Sequence, residues 1–336
     1  MTVFSTKALA IFSTALMIST PAFAGKAVTL AKDDSAFLAY DAPSLYPEGI
    51  ETHPTTGEFI LGSIRKGKVV AISPEGKVRD LIQDERLRSA VGIRVDAERG
   101  RLLVNNSDYG VAERSAPSDK FDTVALAIYD LATGEPLHYV DLSGLRPDEK
   151  RFANDLTVDE DGNAYVTDSL AAAIYKVTPD GQASVFLTNE RFRGEGFNLN
   201  GIQTHPEGYL LVAKKSDGSL FKVPLDAPEN FSEVKLPKAL IGTDGLVLAD
   251  ANTLVAITNV ASGVQSDTIF KLTTNDDWES AKIADTFDTG NVYATTGTLR
   301  DGKIFVSYGR LNTLGGSLKG ETPLLDSFRI QEIGSK

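Results

Sequence analysis

A weakly repeated segment constrains the fold of this chain more strongly than any other feature of its sequence. The clearest copy covers residues 152–169 and reads FANDLTVDEDGNAYVTDS. Weaker copies begin at Glu48, Val91, Asn200 and Asp244 and near Ala294–Thr296, with 43 to 63 residues between successive copies. Self-similarity at such a period indicates an array of supersecondary units that share a core.

The composition of each unit favours β-strands. Helical periodicity is nearly absent, and turns such as Pro74-Glu75-Gly76 and Asp161-Gly162 separate short runs of β-branched and aromatic residues. Most units offer four such runs, which is typical of a β-propeller blade. We therefore predict an all-β fold in which residues 25–336 form a single six-bladed β-propeller domain, with four antiparallel strands in each blade.

Two further segments belong to this prediction. The stretch Ala36–Tyr40 is expected to close the ring by pairing in the last blade beside Phe328–Glu332. The second unit is the longest, and its insertion Tyr109–Phe121 is polar enough to predict a surface loop.

Residues 1–24 have the layout of a secretory signal. Lys7 is followed by an apolar run from Ala8 to Met17 and then by small residues at Ala22 and Ala24. We expect cleavage after Ala24 and a periplasmic or secreted mature chain, with a buried N-terminal helix as the alternative. The run is too short and too polar to span a membrane.

Charge and cysteine content narrow the partners. The net charge of −12 argues against nucleic acid and anionic membranes and favours a hard cation or an uncharged small molecule. The chain has no Cys, which excludes disulfides and thiolate zinc sites.

The residues that start each repeat are the best candidates for a binding or catalytic site. In a propeller the innermost strands line the central channel, so equivalent residues of different blades converge. Four of these positions carry carboxylate or amide oxygens: Glu48, Asn154, Asn200 and Asp244. Such donors suit a hard divalent cation, with Ca²⁺ favoured over Mg²⁺, Mn²⁺ and Zn²⁺. Each dipeptide alone is also an ordinary turn sequence.

The end of the second strand is predicted to lie at the same face of the ring. There, Asn106, Lys214 and Tyr308 are expected to reach a bound substrate, and solvated rim residues are the alternative. His53 and His205 are predicted to lie in turns at the far end of the inner strands, and the acidic turn Asp159–Asp161 in a solvated hairpin at that opposite face. His138 and Trp278 are predicted to be structural.

These motifs resemble the SMP-30/gluconolactonase superfamily of six-bladed propellers, and more distantly the paraoxonases. The matching residues include Pro47-Glu48-Gly49, Asn154-Asp155, Asn200-Gly201 and Asp244-Gly245-Leu246. The resemblance implies a catalytic divalent metal held by Glu48, Asn154, Asn200 and Asp244, with Asp155 beside the site or acting as base. The chain departs from the paraoxonases because it lacks a histidine dyad at this position. Blades two and three also resemble the yellow/royal-jelly proteins, which bind small ligands.

Two functions therefore stay open. The first is an exported metal-dependent hydrolase of a lactone or related ester, in which the metal polarises the carbonyl and Asp244 or Asp155 takes the water proton. Direct attack by Asp244 is a variant of this mechanism. The second is a non-catalytic periplasmic propeller that binds a small ligand and keeps a structural metal.

Overall fold

The computed structural model describes Met1 and residues 37–116 and 120–333, and it confirms the all-β prediction. Six four-stranded antiparallel sheets form the blades of a six-bladed β-propeller. Apart from Met1, the predicted signal segment lies outside the described residues.

The innermost strand of each of the first five blades is followed in chain order by the other three. Blades one to three comprise Pro47–Thr52, Phe59–Ser63, Lys68–Ile72 and Val78–Gln83; Ser89–Asp96, Arg101–Ser107, Val124–Asp130 and Pro136–Asp141; and Ala153–Val158, Ala164–Asp168, Ala173–Val177 and Ala183–Thr188. Blades four and five comprise Leu199–His205, Tyr209–Lys214, Ser219–Pro224 and Ser232–Glu233; and Thr243–Asp250, Thr253–Thr258, Thr268–Thr273 and Lys282–Asp288.

Blade six joins the two ends of the described chain. Its strands, from the channel outward, are Ala294–Arg300, Lys303–Tyr308, Ser327–Ile333 and Phe37–Asp41. Tyr40 pairs with Phe328 across the closing ladder. The predicted closure is confirmed from Phe37 onward, and Ala36 lies outside the described residues.

Short elements connect these strands. Three 3₁₀ turns cover Ser143–Leu145, Glu190–Phe192 and Pro228–Asn230, and a small hairpin pairs Val260–Ala261 with Val264–Gln265. The α-helix Leu311–Leu318 precedes the third strand of blade six and was not predicted from the sequence. Within the described part of the chain, no helix has the length and apolar character needed to cross a membrane.

The start of each sequence repeat coincides with a β-bulge in the inner strand. The pairing of the first two strands shifts register within it in all six blades, for example between Ala153 and Leu156. A bulge of this kind re-aims side chains locally. The aliphatic residue two positions after the start of the repeat, such as Ile50 or Leu156, is buried in the core between blades.

Crowding near the propeller axis explains the glycine that directly follows the first residue of most repeats. A Cβ at Gly49 would lie 2.5 Å from the carbonyl oxygen of Val91, and one at Gly92 would lie 2.4 Å from that of Asn154. Such distances are sterically excluded unless the backbone shifts. The inner strands therefore approach closely only because this position lacks a side chain in most blades.

We predict that closing-strand residues contribute to stability according to their burial. Tyr40→Ala should lower the free energy of unfolding by about 3 kcal/mol, because a buried aromatic ring is lost. The control Phe37→Ala on the same strand removes a half-exposed ring and should cost less than about 1 kcal/mol. Denaturant unfolding measures both, and equal losses would contradict the role given to the closing ladder.

Candidate functional site

The predicted ring residues converge at one mouth of the central channel. Glu48, Asn154, Asn200 and Asp244 all line a cavity of about 280 Å³. Val91, from the equivalent position of blade two, lines it as well. In blade six the equivalent residue is Thr295, which is buried and donates a hydrogen bond to the carbonyl oxygen of Glu48 at 2.8 Å.

Asp244 is the most heavily engaged carboxylate of the cavity. The Lys215 Nζ lies 3.0 Å from its Oδ1, and the Asn200 side-chain amide also donates to this oxygen. Asn259 donates its amide to Oδ2. Because both oxygens already accept hydrogen bonds, Asp244 is poorly placed to take a proton from water.

Glu48 contrasts with Asp244. Its carboxylate lines the cavity, is buried, and accepts no hydrogen bond from the described residues. Burial, followed by the charges of Asp244 and Asp155, raises the pKa of Glu48 well above its ordinary value, and the Lys215 ammonium opposes this shift. A buried carboxyl with a raised pKa is a better general base at neutral pH than an ordinary one.

The two amides are held by neighbouring blades. Asn154 donates to the Ser169 hydroxyl at 2.9 Å, so its carbonyl oxygen is not used in that contact. Asn200 lines the cavity from the next blade and donates to Asp244.

Asp155 does not line this cavity, so its predicted role as base is not supported by its position. It occupies the place that glycine takes in blades one, two, four and five, and its Oδ1 accepts the amide of Leu156 at 2.8 Å. Burial raises the pKa of Asp155 to about 7, although the charge of Arg94 and the amides of Leu156 and Ile202 lower it.

The three expected substrate contacts also lie elsewhere. Asn106 hydrogen-bonds the Arg86 carbonyl, the Arg88 amide and the Tyr139 hydroxyl, and Tyr308 is buried in a hydrophobic cluster of blades five and six. Lys214 binds the Arg191 carbonyl at 2.9 Å and Asp217 at 2.8 Å. The predicted position is therefore wrong for these residues.

The residue that reaches the site is one position later in the sequence. Lys215 and Asn259 contact Asp244, and Ser169 contacts Asn154. Side chains alternate along a strand, so an error of one residue reverses the direction. The sequence did contain a signal for these residues, because four of these next positions are polar: 107, 169, 215 and 259.

Aromatic side chains form the wall of the cavity. Tyr109, Phe152 and Phe197 pack edge to face, with ring centroids 5.0 to 6.4 Å apart. Tyr293 also lines the cavity, and its ring centroid lies 5.4 Å from the Lys215 Nζ. Tyr109 and Phe121 belong to the insertion that was predicted to be a surface loop. Half of its described residues between these two are exposed, but Ala112 is buried, Phe121 packs against Phe197 and Tyr109 faces the cavity.

The remaining predictions concern residues outside the cavity. His205 is buried, stacks on Tyr209, and contacts the Ala251 carbonyl through Nε2 at 2.8 Å. His53 lies in a turn, and His138 is exposed on an outermost strand. Trp278 is fully buried in an outer cluster of blades four and five and donates its indole N–H to Ala251, in agreement with a structural role.

The donors converge as expected, but their arrangement does not fit a divalent cation. A Ca²⁺ ion bound to the Asp244 Oδ1 at about 2.4 Å would lie no more than about 5.4 Å from the Lys215 Nζ, which is 3.0 Å from that oxygen. Charges of +2 and +1 at that separation repel by about 6 kcal/mol for an effective dielectric constant of about 20. Glu48 and Asp244 supply the only two negative charges among the described residues that line the cavity, and Lys215 already balances one of them.

Solved structures support the fold. The allergen Mala s 1 of Malassezia sympodialis is similar over 90% of this chain and 96% of its own, with a TM-score of 0.70 and 17% identity. A gluconolactonase from Xanthomonas campestris matches over 91% and 93%, at 0.58 and 15%. Virginiamycin B lyase from Staphylococcus aureus matches over 90% and 100%, at 0.55 and 11%.

Sequence comparison adds no closer relative, since no family model and no curated protein matches the chain. The structural matches confirm the propeller fold that the sequence motifs implied, and the gluconolactonase is among them.

We predict that Asp155 makes stability pH-dependent. Its pKa is about 7 in the folded protein and near 3.8 when unfolded, so the folded state binds more protons between these values. Its contribution to stability is therefore greatest at acid pH and falls as pH rises towards 7. Arg94 and Glu51 share its surroundings, and both are retained in the variant.

Between about pH 5 and about pH 8, the free energy of unfolding should decrease by about 2 kcal/mol less in Asp155→Asn than in the wild type. Thermal unfolding at a series of pH values measures this difference. The exposed Asp161→Asn serves as control and should keep the wild-type pH dependence. Identical pH dependence in Asp155→Asn and the wild type would contradict the assignment.

Proposed function

We propose that this protein is an exported hydrolase of a lactone or related ester, and that the channel cavity is its active site. The convergence of Glu48, Lys215 and Asp244 in one cavity that four aromatic side chains also line carries the proposal. The similarity in fold to gluconolactonases is consistent with this reaction class. A concave cavity that combines aromatic side chains with convergent polar groups is typical of small-molecule sites.

Lys215 supplies the positive charge at which a carbonyl oxygen would bind. Its ammonium group has three N–H donors, and the described residues that accept from it are Asp244 and Asn259. The Nζ also lies 5.4 Å from the centroid of the Tyr293 ring, and we assign its third N–H to the substrate oxygen. It would stabilise the negative charge that develops on the carbonyl oxygen when water attacks.

Glu48 is the proposed general base. Water adds to the carbonyl carbon while its proton passes to the Glu48 carboxylate, and the carbon–oxygen bond of the lactone ring then breaks. The departing alkoxide takes the proton back from Glu48, so the products are a hydroxy acid and the regenerated enzyme. Asp244 accepts from Lys215 and holds its side chain in place.

The substrate is expected to have an apolar body. Tyr109, Phe152, Phe197 and Tyr293 offer ring faces and edges, whereas a polyhydroxylated lactone needs a hydrogen-bonding partner for each hydroxyl. We therefore favour alkyl- or aryl-substituted lactones and aryl esters over sugar lactones.

The role of Glu48 predicts a large kinetic effect. Glu48→Gln should lower kcat about 10²- to 10⁴-fold on a lactone panel, because the amide cannot accept the water proton. The control Glu75→Gln changes an exposed turn of the same blade and should leave kcat unchanged. Full activity in Glu48→Gln would exclude this mechanism, and ligand binding without turnover in the wild type would favour the binding propeller.

The aromatic wall predicts substrate selectivity. Phe197→Ala should raise KM for a long-chain or aryl-substituted lactone about tenfold, because contact with the Phe152 and Tyr109 cluster is lost. The KM of a small unsubstituted lactone should change little in the same variant. Equal changes for both substrates would show that the wall does not select the apolar group.

A further inference from the structure

Lys215, which lines the cavity, is held in a closed hydrogen-bond network. Lys215 is 5% exposed, although a lysine is rarely buried to this extent without a partner. Its Nζ lies 3.0 Å from Asp244 Oδ1 and 2.5 Å from Asn259 Oδ1. Asn259 in turn donates to Asp244 Oδ2 and to the Ala294 carbonyl, so three residues hold one another.

The orientation of the Asn259 amide agrees with a cation at this place. Asn259 accepts from Lys215 through its oxygen and donates to Asp244 through its nitrogen, which satisfies both ends of the amide. Asn200 presents its nitrogen, not its oxygen, to Asp244.

We propose that Lys215 takes the place of the divalent metal in this propeller, so that the cavity works with a built-in ammonium and no metal cofactor. Lys215 then provides the positive charge for the substrate oxygen, a role that rests on the proposed hydrolase function. Asp244 and Asn259 act as positioning residues for Lys215. The binding part of the inference, that the wild-type site excludes divalent cations, holds independently of catalysis.

Removing the ammonium should convert the site into a metal site. Lys215→Met keeps a side chain of similar length but leaves Glu48 and Asp244 as two uncompensated carboxylates beside Asn154 and Asn200. This donor set then resembles a calcium site. The adjacent Lys214→Met is the matched control, because the Lys214 amine contacts the Arg191 carbonyl and Asp217 outside the cavity.

The experiment compares the purified full-length wild type, Lys215→Met and Lys214→Met. Metal content is measured by elemental analysis, and Tm is recorded with chelator and with increasing CaCl₂ and MnCl₂. The wild type and Lys214→Met should be free of stoichiometric metal and show no Tm response to either ion. The Tm of Lys215→Met should rise by about 3–5 °C at a calcium concentration about a hundredfold above its Kd.

Stoichiometric metal in the wild type, or a wild-type Tm that increases with Ca²⁺, would overturn the proposal whatever the activity. A folded Lys215→Met with no response to either ion would also overturn it, since Lys215 would then not occupy a cation position. If Lys215→Met does not fold, Lys215→Gln replaces it and the wild-type measurements still decide. The wild type could be metal-free, and Lys215→Met could respond to Ca²⁺, while the wild type hydrolyses no lactone of the panel. That outcome would refute the proposed function and leave the exclusion of divalent cations intact.

Discussion

Ring closure is the constraint on which the rest of this structure depends. The strand Phe37–Asp41 pairs with Ser327–Ile333 and completes blade six with residues from both ends of the described chain. Only in the closed ring do the inner strands of blades six and one meet. There, Thr295 donates to the Glu48 carbonyl and the hydroxyls of Thr52 and Thr298 lie 3.3 Å apart. The backbone that carries Glu48 is therefore fixed by contacts that closure creates.

The crowded axis converts this closure into a functional site. Inner strands that touch at Gly49 and Gly92 leave no room for side chains at those positions, and the bulge beside them directs the preceding residue into the channel mouth. Charges collected in this way are buried and interact strongly. The Glu48 carboxylate accepts no hydrogen bond from the described residues, whereas the Asp244 carboxylate has three partners. The two residues therefore acquire different chemical roles from the same position in the repeat.

Much of this arrangement is visible in the sequence because it repeats. The period predicts the blades, the polar start of the inner strand predicts which residues converge, and the chain ends predict the closing strand. Other features depend on geometry that no repeat records. Successive residues of a strand point to opposite sides, so a register error of one residue selected Lys214 where Lys215 faces the cavity. The position of Asp155 depends on a β-bulge that the sequence does not reveal. The helix Leu311–Leu318 contains two adjacent glycines, so local helix propensity gave no signal for it.

The central claim is that a lysine, and not a metal ion, balances the carboxylates of the channel. A crystal structure of the wild-type protein grown in millimolar CaCl₂ tests it most directly. The account predicts that Lys215 Nζ remains in hydrogen-bonding contact with Asp244 and that no ion lies between Asp244 and Glu48. Density for a cation coordinated by Glu48, Asn154, Asn200 and Asp244, with Lys215 displaced, would contradict it.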